Sequence, residues 1–183
     1  MAELYSLKET SGTLASTVGV GTVAWTNPGN AVSSNNTYAT ATVNNSTTRW
    51  LTALNWSFAV PDTARVVGVM VQIEKKSDAA TAVDNKVQLW YGGAAIGDDQ
   101  SKTTDWPAAD TYITYGGINQ TWGVGLDPAI VNHATFGVGI SAKTTTASDI
   151  NLSVDDVHLT VYYNTAITPP TVAGPGPHRG HTR

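Results

Sequence analysis

The sequence predicts an all-β fold, an antiparallel β-sandwich that is jelly-roll-like with extended N- and C-terminal arms. Three observations predict it. Short alternating or β-branched runs recur along the 183 residues, each bounded by Gly, Pro, Asn or Asp clusters. Charged residues make up only 13% of the chain, too few for exposed helices held by ion pairs, while Thr, Ser, Asn and Gly are abundant. A single segment has a helical start signal.

Residues 1–20 are expected as an N-terminal arm or a first strand, 21–164 as the sandwich domain and 165–183 as a Pro- and Gly-rich arm. The clearest strands fall at 37–43, 50–60, 66–75, 85–91, 135–143 and 154–163. Successive side chains in a strand point to opposite sides, so Val67, Val69, Val71 and Ile73 share a face that should be core. By the same alternation Val157, Leu159, Val161 and Tyr163 face the core, and Asp156, His158, Thr160 and Tyr162 face water or a partner. Pro61-Asp62 presets a turn, which makes 50–75 two successive strands joined at a sheet end. The helical segment starts at Asp127, a suitable N-cap, with Pro128 at the favoured first position. Residues 92–120 carry Gly92-Gly93, Asp98-Asp99, Trp106-Pro107 and Gly116-Gly117 and read as loop with short strands, the expected place for a variable binding surface.

Trp25-Thr26-Asn27-Pro28-Gly29-Asn30-Ala31, Tyr38-Ala39-Thr40-Ala41 and Leu54-Asn55-Trp56-Ser57-Phe58-Ala59-Val60-Pro61 follow one another in an order that continues through Val67-Gly68-Val69-Met70-Val71. Val87-Gln88-Leu89-Trp90-Tyr91-Gly92-Gly93, Trp122-Gly123, Phe136-Gly137-Val138 and the closing run from Val154 to Tyr163 extend it. On these residues, roughly 22–164, the chain resembles a β-sandwich family of structural proteins of tailed bacteriophages, found also in bacterial surface proteins. The resemblance implies a virion or surface module and brings no catalytic residues with it.

Chemistry-bearing patterns are sparse. A net charge of -4 without a basic run in the domain gives no footprint for nucleic acid. The absence of cysteine excludes thiolate nucleophiles, disulfides and cysteine-ligated zinc. No stretch approaches the roughly 18 apolar residues of a membrane span, and the start of the chain lacks the pattern of a secretory signal, so synthesis in the host cytoplasm is expected. Asp98, Asp99, Asp105 and Asp110 could pair for glycoside hydrolysis or bind calcium, but no glutamate accompanies them and the calcium-loop spacing is missing; solvated turn aspartates are the better reading. His133 and His158 are not spaced as a metal pair, and His178 and His181 lie in the tail. Neither a nucleophile elbow nor a phosphate loop is present.

The six tryptophans and seven tyrosines could form a sugar-stacking platform; core filling is the competing and favoured reading. Trp106, Tyr112 and Tyr115, in the loop-rich segment, are the expected exposed aromatics, and Pro169, Pro170 and Arg179 the expected contacts of the C-terminal arm. The sequence thus leads to a non-enzymatic virion protein without a cofactor or metal, a capsid decoration or cement protein that docks on the shell and stabilises it through subunit contacts. Its expected partners are major capsid or tail proteins and further copies of itself, as in a trimer. The alternative is a tail-fibre or baseplate module that binds a host glycan or receptor through 92–122.

Overall fold

In the computed structural model, which describes residues 3–10 and 12–165, ten strands form two five-stranded antiparallel sheets. The front sheet has the order β1 (Leu4–Thr10), β10 (Ile150–Asn164), β5 (Arg65–Ser77) and β8 (Thr111–Gly117), with β3 (Ala39–Val43) pairing the first part of β10. The back sheet runs β2 (Thr13–Thr17), β4 (Trp50–Leu54), β9 (Gly137–Thr144), β6 (Ala82–Tyr91) and β7 (Ala94–Ile96). Only β6 and β7 are both consecutive and paired; the remaining ladders join strands distant in sequence.

The all-β reading holds. Leu4–Thr10 and Thr13–Thr17 supply one strand to each sheet, β1 against β10 and β2 against β4. The expected 50–60 strand stops at Leu54. Asn55 turns with φ 65°, and 56–60 continue extended, with Trp56, Phe58 and Val60 buried. Their backbone has a side-chain partner at Val60, where the Asn132 amide accepts from Val60 N at 2.9 Å and donates to Val60 O at 2.8 Å. The helix is one turn, α1 (Pro128–Val131), and Asp127 caps it by accepting from Ile130 N at 2.8 Å.

The core between the sheets is built from the expected faces, Val69, Val71 and Ile73 of β5 and Val157, Leu159 and Val161 of β10, against Leu51, Val87 and Ile140 of the back sheet. Two register shifts between β5 and β10 alter the alternation of the front sheet. One, opposite Tyr162 and Tyr163, leaves Val67 half-buried and puts Val66 in the core in its place. The other, between Val154 and Asp156, lets Ile150, Leu152 and Val154 point inward as well as the odd-numbered residues that follow.

All six tryptophans are buried, and Trp25, Trp56, Trp106 and Trp122 fill the core. Trp50 and Trp90 alternate with Leu51 and Leu89 and therefore lie on the far face of the back sheet, edge to face with centroids 5.5 Å apart. Gly139 lies beneath them, where a Cβ would come within 2.9 Å of Trp50 and 3.1 Å of Trp90.

The expectation that Trp106 and Tyr115 are exposed is overturned, since each is 2% exposed. Residues 98–107 fold back along the sandwich, held by Gln100 N to Val87 O (2.8 Å), Trp106 N to Ala82 O (2.7 Å) and Ser77 N to Pro107 O (2.8 Å). Tyr115 pairs with Val71 on the inward side of β8. Both rings converge on Asp84, whose carboxylate accepts from Trp106 Nε1 (2.8 Å), Tyr115 Oη (2.8 Å), Lys102 N (3.0 Å) and the Lys75 ammonium. Lys75 also donates to Tyr115 Oη at 2.6 Å and lies 4.4 Å from the Trp106 ring centroid. Burial brings the Lys75 ammonium down to about 8 against the opposing pull of Asp84, and burial followed by the Asp84 charge raises the Tyr115 phenol.

Removing one member of a buried ion pair strands the other charge. Asp84→Ala is expected to destabilise the fold by about 3–5 kcal/mol in denaturant unfolding, and Lys75→Met with Asp84→Leu to recover most of that loss.

Candidate functional site

The outer face of the front sheet carries the polar side chains that alternate with its core. Register places Tyr112, Glu74 and Asp156 side by side on β8, β5 and β10; Thr114, Gln72 and His158 form the next row, and Lys8 pairs with Thr160 beyond it. Lys8, Gln72, Tyr112 and His158 line a cleft of about 250 Å³.

Asp156 organises the cleft. It is 1% exposed although it points outward. Val32 bridges to Asp156, and the carboxylate of the bulged Asp155 accepts from Asn36 N at 2.9 Å and Thr37 N at 3.2 Å. One oxygen of Asp156, Oδ2, accepts from Tyr112 Oη at 2.7 Å and lies 2.8 Å from His158 Nε2. The two rings consequently lie nearly parallel, 10° apart with centroids at 5.6 Å. Burial, then the Asp156 hydrogen bond and charge, raises the Tyr112 phenol. For His158 burial outweighs the attraction of Asp156 and holds the imidazole below its usual value, so near neutrality the ring is uncharged.

The other Asp156 oxygen, Oδ1, and Oε2 of Glu74 are buried without a hydrogen-bond partner. These side chains belong to directly opposed residues of β10 and β5. Like charges so placed destabilise a ladder.

The remaining sequence candidates lie elsewhere. Asp99 accepts from Val87 N (3.0 Å), Ser101 N (3.0 Å) and Lys86 Nζ (2.9 Å); these hold it below the usual carboxylate range although partial burial opposes them. Asp110 binds Lys76 at 3.0 Å and Tyr38 Oη at 2.8 Å, Asp98 donates its backbone N–H to Trp122 O, and Asp105 is exposed. No grouping of paired catalytic carboxylates arises among these four. His133 packs against Tyr91 at 5.5 Å, apart from His158, and among the described residues no group of three or more His, Cys, Asp or Glu is arranged to hold a metal ion. Pro169, Pro170, Arg179, His178 and His181 lie outside the described residues. No helix among the described residues is long and apolar enough to cross a membrane.

Of the aromatics expected at a binding surface, Tyr112 alone is at one, 38% exposed. Glu74, Gln72 and Lys8 were not among the sequence candidates, and His158 was considered only for metal. Alternation along each strand does put all four on an outward face, but their meeting depends on pairings across 40–150 residues.

The molecule is thus an all-β sandwich with a small polar, aromatic-walled cleft on one sheet. The chain matches no protein-family model and no curated protein. Among solved structures it is similar to one described as "CBM4 structure and function", at 12% identity over 80% of this chain and 91% of that one, with a TM-score of 0.42. It is also similar to the enzymatically active domain of tailspike protein 4 of bacteriophage CBA120, at 13% identity over 88% of this chain and 19% of the tailspike chain, with a TM-score of 0.34.

Glu74→Gln removes one of the opposed charges and offers an N–H to the stranded oxygen, so it is expected to raise stability by about 0.5–1 kcal/mol in denaturant unfolding at pH 7. His158 sits below its unfolded value of 6.5, so on acidification the unfolded chain takes up the proton first. Its contribution is complete above pH 6.5 and is lost as the pH falls from there toward the folded-state value; the melting temperature is expected to drop across that window in the wild type and less in His158→Gln.

Proposed function

We propose that the protein is a non-catalytic structural component of a bacteriophage particle, tail-associated, that uses the Tyr112 cleft to bind a carbohydrate on its host. The virion setting follows the resemblance carried by residues 22–164. The binding role is carried by one observation: Tyr112 and His158 stand as a parallel pair fixed by one buried carboxylate oxygen. A pre-set aromatic wall beside an amide and an ammonium, Gln72 and Lys8, supplies an apolar surface for a sugar ring and polar groups for its hydroxyls. Pre-organisation limits the entropy lost on binding. At about 250 Å³ the cleft suits a single ring held at the surface.

Binding rather than turnover is supported by the carboxylates. Asp156 Oδ1 and Glu74 Oε2 are buried, and Asp156 Oδ2 accepts from Tyr112 Oη with His158 Nε2 2.8 Å away. Glycoside hydrolysis needs two carboxyl groups flanking the scissile bond.

Capsid decoration, the second reading, is favoured by the apolar residues on the edge strand β1, where Leu4 is 49% and Tyr5 40% exposed, a surface suited to docking on a protein lattice. Repeated copies would multiply that contact.

Binding of the labelled protein to host cells and to particles lacking it separates these readings. The carbohydrate reading expects cell binding that falls about ten-fold or more in Tyr112→Ala, measured well below the melting temperature of the variant, which loss of the hydroxyl donor to Asp156 lowers. Binding to particles alone, unaffected by Tyr112→Ala and lost in Leu4→Glu, would instead establish decoration.

A further inference from the structure

We propose that the cleft selects its ligand by charge, admitting neutral and amino sugars and rejecting those that carry a carboxylate or sulfate, with Glu74 and Asp156 setting the preference. The inference rests on the carbohydrate reading above and names the class of sugar. Each strand of the front sheet that borders the cleft contributes a group. Lys8 comes from β1, Glu74 from β5, Tyr112 from β8, and Asp156 and His158 from β10.

Two carboxylates face one ammonium, and the groups differ in their surroundings. Lys8 is exposed, so water and salt screen its charge. Asp156 is 1% exposed, and the unpartnered oxygens of Asp156 and Glu74 are both buried. Their charge therefore acts on the cleft through protein rather than water, where the same charge at the same distance weighs several times more. The donor that Asp156 does receive, the Tyr112 hydroxyl, and the uncharged His158 ring 2.8 Å away are neutral groups that do not cancel the charge. Among the described residues neither carboxylate has a Lys or Arg within ion-pairing distance, whereas Asp84, Asp99 and Asp110 each have one. The field at the cleft is accordingly negative, and an anionic sugar meets repulsion that Lys8 at the rim does not offset.

The test uses the full chain and matched methyl glycosides of the gluco, galacto and manno series, each as the neutral sugar, the 2-amino sugar and the uronic acid, titrated at pH 7.5 and low salt. In whichever series binds, the acid is expected to bind about ten-fold more weakly than the neutral sugar, with the amino sugar at least equal to it. Glu74→Gln should narrow the gap while retaining the neutral sugar, and Lys8→Gln should widen it. Lowering the pH through the folded-state value of His158, which lies below 6.5, should narrow the gap in the wild type. Acid binding as tight as neutral in the wild type, or a gap unchanged by Glu74→Gln, overturns the charge preference and leaves the carbohydrate reading standing. Failure of all nine sugars to bind removes both.

Discussion

The buried Asp84 carboxylate is the junction on which the rest of this molecule is assembled. It sits on β6 of the back sheet, takes Lys75 of β5 and Tyr115 of β8 from the front sheet, and ties down the connecting segment through Trp106 and the Lys102 amide. An ion pair this deeply buried is not a large net source of stability, because the desolvation of both charges opposes their attraction. It does discriminate strongly between arrangements: any packing that leaves Lys75 or Asp84 without the other is heavily disfavoured, so the relation of the two sheets is specified at that point. Tyr112 lies three residues before Tyr115 on the same strand, with its side chain on the opposite face. Anchoring Tyr115 inside therefore helps fix the ring that forms the cleft wall outside.

How far the sequence could be read follows from what alternation encodes. A period of two assigns a face, and the inward faces of β5 and β10 and the outward position of Asp156 and His158 were legible from it. Asp127 and Pro128 announced α1 because a cap is a local interaction. The turn aspartates were legible for the same reason; Asp99 accepts from Ser101 two residues on. Partners were not legible. Trp106, in a segment of Gly, Pro and Asp, looked like a loop-tip aromatic, and only the distant Asp84 and Lys75 draw it inside. Residues 56–60 alternate as a strand should, yet they have no ladder, because their backbone is met by the Asn132 side chain instead of a neighbouring strand.

The same limit explains the cleft. Its members come from four separate stretches of chain, and the bulge at Asp155 decides that Asp156 stands opposite Glu74. One extra residue turns a carboxylate outward and lets the preceding carboxylate accept from the backbone of Asn36 and Thr37. A position that alternation marks as outward is in this way 1% exposed, a combination of outward aim and burial that only the three-dimensional arrangement reveals.

Strand order has a consequence for how the chain is made. β10, the last strand, is the neighbour of β1, β3 and β5, so the front sheet has no centre until its final fifteen residues are present. During synthesis β1, β3 and β5 leave the ribosome with their principal partner still missing, and among the described strands only β6 and β7 form a hairpin of consecutive neighbours. Folding should then begin late and proceed slowly, as expected where pairing is so non-local. Until then Leu152, Val154, Val157, Leu159 and Val161 are unavailable to cover the inner faces of β3 and β5, which makes the nascent chain, rather than the finished sandwich, the form most exposed to aggregation.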